Sequence, residues 1–159
     1  MKLKLLFITF IIFPLIISAT EKFPTHCRIS GLRFSHHSIL FFSQHTAMPR
    51  LYVIKNISKK IIWLTHEKKN PGASAGWDTQ LSPQHWSAIL ITRRQFDLHC
   101  HFQNKAGVMM RASCEHMIRA CQFSEFYSHH PIGGSYWVVE NVLFRDLMSR
   151  IRARGFSLK

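Results

Sequence analysis

Phe96-Asp97-Leu98-His99-Cys100-His101-Phe102 alternates residue by residue between apolar and polar. Successive side chains of an extended strand point to opposite faces. Phe96, Leu98, Cys100 and Phe102 therefore share one face, and Asp97, His99 and His101 share the other. The segment reads as a strand with one buried side and one wet side. Asn104-Lys105-Ala106-Gly107 supplies a turn, and Val108-Met109-Met110-Arg111-Ala112 returns, which completes a hairpin.

Upstream, Trp86-Ser87-Ala88-Ile89-Leu90-Ile91 is a further apolar strand, ended by Arg93-Arg94. Residues 67–83 read as a loop punctuated by Pro71, Gly72, Gly76 and Pro83. Before it, residues 51–54 (Leu-Tyr-Val-Ile) and 61–64 (Ile-Ile-Trp-Leu) are β-branched and aromatic runs joined by a turn at 56–60, a second expected hairpin. Ile39-Leu40-Phe41-Phe42 is another short run of strand type.

Downstream, residues 115–121 read as a helical turn, Pro131, Gly133 and Gly134 mark a break, and Tyr136-Trp137-Val138-Val139 reads as one last strand. Val142, Leu143, Leu147 and Ile151 then recur at helical spacing with Arg145, Arg150, Arg152 and Arg154 between them. This end is a short basic amphipathic helix or a disordered tail. Many short strands with frequent turn signals predict an all-β fold, a small antiparallel β-sandwich of the Ig-like kind. The expected organisation is a signal helix at 1–19, the sandwich at 20–130, and a C-terminal strand with the basic helix or tail at 131–159.

The first residues define the address. Lys2 and Lys4 precede an apolar run over 5–17, and Ser18-Ala19 supplies small residues before Thr20-Glu21-Lys22. That order predicts a secretory signal peptide cleaved after Ala19, and hence a periplasmic or secreted protein. Removing Lys2 and Lys4 from the 21 Lys and Arg residues leaves 19 against 8 Asp and Glu, a net charge of +11. Such a balance favours anionic partners: an anionic lipid or glycan surface, or an acidic envelope or host protein. Export disfavours nucleic acid. The basic tail also suggests peripheral membrane contact.

Four cysteines remain after the leader, Cys27, Cys100, Cys114 and Cys121. An even number in an exported chain indicates disulfides. Three connectivities are open. The favoured one joins Cys114 to Cys121 across a short loop and Cys27 to Cys100.

Chemistry-bearing patterns are sparse. His99 and His101 lie on one strand face and are the candidate copper or zinc ligands, with a third from His116, His129-His130 or His36-His37. Ser74 in Gly72-Ala73-Ser74-Ala75-Gly76 resembles G-x-S-x-G, but that motif needs a strand before it and a helix after it. The few carboxylates, Glu67, Asp78 and Asp97 among them, are scattered. No catalytic residue and no cofactor are expected, so the chain is not read as an enzyme. Ser74, Trp77 and Trp86 are the candidate binding residues, with Trp77 the expected exposed tryptophan. Asn56-Ile57-Ser58 matches the N-glycosylation acceptor.

Tyr52-Val53-Ile54-Lys55-Asn56-Ile57-Ser58, Ile62-Trp63-Leu64-Thr65-His66, Gly72-Ala73-Ser74-Ala75-Gly76-Trp77 and Trp86-Ser87-Ala88-Ile89-Leu90 resemble the EnhB-type enhanced entry proteins of Legionella and its relatives. Phe96 to Cys100, Cys114 and Cys121 fit the same pattern, so the likeness spans residues 50–122. The resemblance implies an exported protein of a Gram-negative intracellular bacterium, linked to host-cell entry or intracellular survival. It carries over no catalytic residue. Together these readings predict a non-enzymatic envelope or secreted interaction protein, with a periplasmic metal-binding protein as the alternative.

Overall fold

The computed structural model describes residues 23–29, 31–42, 48–66, 77–123 and 125–158. The leader at 1–19 and the loop that holds Ser74 lie outside the described residues. In chain order the strands are β1 (Cys27–Arg28), β2 (Leu32–Phe34), β3 (Ser38–Phe42), β4 (Arg50–Asn56), β5 (Ile62–His66), β6 (Trp77–Leu81), β7 (Trp86–Ile91), β8 (Gln95–Gln103) and β9 (Met109–Ala112). A short helix α1 (Cys114–Met117) leads into β10 (Ile118–Phe123) and β11 (Phe126–Ser128). Then come β12 (Tyr136–Val142), helix α2 (Phe144–Ala153) and β13 (Phe156–Leu158).

Two antiparallel sheets face each other, as the all-β expectation requires. The first has the order β1-β10-β4-β7-β12, and the second β2-β3-β8-β5-β6, with β9 also paired to β8. Tyr52, Ile54, Ile89, Ile91, Ile118 and Ala120 from the first meet Phe41, Ile62, Leu64, Phe96 and Leu98 from the second. That is the core between the sheets.

A second core covers the other face of the first sheet. Leu51, Val53, Ala88, Leu90, Cys121 and Phe123 pack there against Val138, Val139, Phe156 and the α2 residues Leu147 and Ile151. Every residue of β4 and β7 is consequently buried. Strands covered on both faces need not alternate, which explains the unbroken apolar runs at 51–54 and 88–91. The basic C-terminal segment is thus a helix whose apolar stripe closes a core.

Three expectations need correction. First, β4 and β5 do not form a hairpin. β4 pairs with β10 and β7, while β5 pairs with β6 and β8. Both edges of β4 are occupied, so residues 57–61 carry the chain from one sheet to the other. Second, the expected loop at 67–83 contains β6, which forms the hairpin with β5. Third, the expected helical turn at 115–121 shrinks to α1, and β10 takes the rest, filling the place beside β4.

The disulfide pairing is also corrected. The bonds are Cys27–Cys121 and Cys100–Cys114, with Cα–Cα distances of 5.5 and 5.4 Å. Cys100 and Cys114 lie in the core between the sheets, whereas Cys121 lies in the core beneath α2. A Cys114–Cys121 bond would have to cross the first sheet. Alternation along β10 sends Ile118 and Ala120 to one side and Cys121 and Phe123 to the other. The register Cys27↔Phe123 brings β1 alongside Cys121.

Candidate functional site

The polar groups converge on the wet face and one end of the second sheet. β8 contributes Asp97, His99 and His101, and β5 supplies Thr65 opposite His99 and Trp63 opposite His101. Antiparallel cross-strand partners sit close enough for side chains to interact. His99 Nε2 lies 3.1 Å from Asp97 Oδ2, and His66 Nδ1 lies 3.1 Å from Asp97 Oδ1. His66 Nδ1 is also 2.8 Å from the Asp97 carbonyl oxygen. Both imidazole nitrogens face acceptors, so both donate their N–H to Asp97. The His66 ring stacks on Phe96, with centroids 4.3 Å apart.

Asp97 is therefore a clasp between β5 and β8, with each oxygen engaged by a different histidine. His101 is bonded separately, its Nδ1 lying 3.2 Å from Thr65 Oγ1. The expected pair His99 and His101 shares a face but not a common target. Among the described residues no group of three or more His, Cys, Asp or Glu side chains is placed to hold a metal ion. His66 was missed in the sequence because it ends its strand, where alternation no longer says which way a side chain points. Asp97 was legible only as a wet-face residue.

The candidate binding residues separate. Trp86 is fully buried, correcting the expectation of a binding tryptophan. Its ring contacts Phe23 at 5.8 Å and Phe144 at 5.1 Å, and Lys55 Nζ lies 5.3 Å from its centroid. Trp86 is a wall of the second core because β7 has sheet on both sides and cover on both faces. Trp77 opens β6 opposite His66. Ser74 lies outside the described residues, so Ser74, Trp77 and Trp86 are not shown to share a surface.

Asn56 likewise changes meaning. Its side chain is buried, with Nδ2 donating to the carbonyls of Lys60 and Leu81, each at 2.8 Å. Its Oδ1 accepts from Ser58 N and Ser58 Oγ at 2.9 and 2.7 Å. An amide nitrogen committed in this way is closed to glycosylation in the folded protein. The match to the acceptor triplet reflects a structural turn.

A cleft of about 660 Å³ runs along β12 and is bounded by Trp137, Glu140, Arg150 and Arg154. Glu140 accepts a 2.7 Å hydrogen bond from Thr79 Oγ1. Beside it, α2 and its C-cap carry Arg145, Arg150, Arg152 and Arg154 against Asp146, all outside the core. No helix among the described residues is long and apolar enough to cross a membrane. Comparison of the chain with protein-family models, with curated proteins and with solved structures finds no match.

Proposed function

We propose that this chain is an exported, non-enzymatic interaction protein of a bacterial envelope or secreted fraction, and that it works by binding an anionic surface. The two disulfides support an oxidising, extracytoplasmic compartment. The observation that carries the reading is where the excess positive charge sits. Lys59, Lys105, Arg145, Arg150, Arg152 and Arg154 are all exposed, and among the described residues only Arg145 of these is within ion-pair distance of a carboxylate, Asp146 at 3.8 Å. Cations left facing water are available to phosphate, sulfate or carboxylate groups on a partner. The resemblance to enhanced entry proteins supports a role in host-cell entry or intracellular survival.

The test uses the oxidised protein beginning at Thr20. It should be retained on a sulfated polysaccharide matrix and on anionic vesicles, with retention lost as salt rises. Binding to neither surface at low salt would overturn the proposal.

A further inference from the structure

The β8–β9 hairpin presents apolar side chains to water. Val108 is 54% exposed, Met109 46%, Met110 45%, and Ile61, just before β5, 41%. The register puts them at the same end of the second sheet: Met109 and Met110 lie opposite Gln103 and Phe102 of β8, and Ile62, the neighbour of Ile61, also lies opposite Phe102. They are four of the nine large exposed apolar residues among those described, so the exposure is concentrated at one end of the second sheet. Concentrated apolar exposure marks a surface made to be covered, whereas scattered single residues do not.

The tip is also preformed. Asn104 Oδ1 accepts from Ala106 N and Val108 N, both at 2.9 Å, and Gln103 Nε2 donates to the Gly107 carbonyl at 2.8 Å. Gly107 has φ +80°, a conformation suited to glycine. Docking through such a tip spends little free energy on ordering it.

Charge selects the occupant. Residues 57–62 and 102–111 contain Lys59, Lys60, Lys105 and Arg111 and no Asp or Glu. The Lys60 ammonium lies 3.8 Å from the centroid of the Phe102 ring, the residue opposite Met110. Exposed apolar side chains backed by cations suit a bilayer interface, where the former enter the acyl boundary and the latter meet headgroup phosphates. Helix α2 cannot supply that apolar part, because Leu147 and Ile151 are buried in the second core.

We infer that the β8–β9 hairpin tip docks this protein on an anionic phospholipid surface. The inference rests on the anionic-surface reading above and names both the surface and the element that meets it.

The probe is a phosphatidylglycerol/phosphatidylethanolamine vesicle, with phosphatidylcholine vesicles and a sulfated polysaccharide matrix alongside. Wild-type protein should sediment with the anionic vesicles. Met109→Ser/Met110→Ser should weaken that binding about tenfold or more, since it removes apolar contact. Its thermal midpoint and its retention on the polysaccharide should stay unchanged. Lys59→Ser/Lys105→Ser should weaken both vesicle and polysaccharide binding. Wild-type binding to the polysaccharide but not to vesicles would overturn this inference alone, as would methionine variants that bind vesicles within twofold of wild type. A methionine variant that changes the concentration dependence of the molecular mass, with vesicle binding intact, would assign the tip to contact between copies instead. Loss of binding to both surfaces by the wild-type protein would remove the anionic-surface reading itself.

Discussion

At the residue scale, two buried polar side chains set stability and its pH dependence. Tyr52 is fully buried in the core between the sheets, and Arg50 Nη1 donates to its hydroxyl at 3.1 Å. Burial pushes the Tyr52 phenol above its ordinary value, outweighing the opposing charge and hydrogen bond of Arg50. In the unfolded chain a tyrosine ionises near pH 10, so above that pH the unfolded state has lost a proton that the folded state keeps. Stability is then lost as pH rises from about 10 through the folded value. Tyr52→Phe lacks this linkage, and its denaturation midpoint should fall less steeply between pH 9 and 11 than that of wild type. Parallel slopes would refute the assignment. Asn56→Ala removes the bonds to the Lys60 and Leu81 carbonyls and the acceptor of Ser58 N, and should cost about 3 kcal/mol in equilibrium unfolding. A loss under about 1 kcal/mol would mean that those bonds contribute little.

At the scale of elements, the disulfides lock different layers. Cys100–Cys114 ties β8 to α1 across 14 residues, and Cys27–Cys121 ties β1 to β10 across 94. Peptide mapping of unreduced protein should recover these two pairs and no Cys114–Cys121 peptide. If the chain-entropy account holds, the longer loop contributes about 4.7 kcal/mol and the shorter about 3 kcal/mol. The Cys27→Ala/Cys121→Ala variant should therefore be less stable than Cys100→Ala/Cys114→Ala. The reverse order would show that packing around Cys100 outweighs loop entropy. Helix α2 belongs to the same scale: its spacing was legible in Leu147 and Ile151, while the sheet that receives them was not.

For the whole molecule, the three-layer arrangement leaves two cationic parts of the surface, helix α2 and the β8–β9 tip, and only the tip combines its cations with exposed apolar side chains. One sheet is covered on both sides, by the second sheet and by α2, so β4, β7 and Trp86 offer nothing to a partner. The second sheet keeps a wet face, with the Asp97 clasp on it and the Val108–Met110 tip at one end. The exposed arginines of α2 and the lysines of the tip account for why the net charge appears as accessible cations.

The sequence by itself determined what depends on neighbours along the chain. Alternation at 96–102 fixed β8 and its two faces, the Asn104–Gly107 turn fixed the hairpin, and the spacing of Leu147 and Ile151 offered a helix, with a disordered tail as the other reading. Four cysteines indicated disulfides. Tertiary structure alone decided what depends on neighbours in space. The polar run Trp77-Asp78-Thr79-Gln80-Leu81 becomes a strand because β5 offers it a partner, which local propensity does not contain. Cys121 turns away from Cys114 because a sheet lies between them. Asp97 finds His66 across two strands. The methionines at the hairpin tip read as part of the returning strand, and only the fold shows that they stay nearly half exposed.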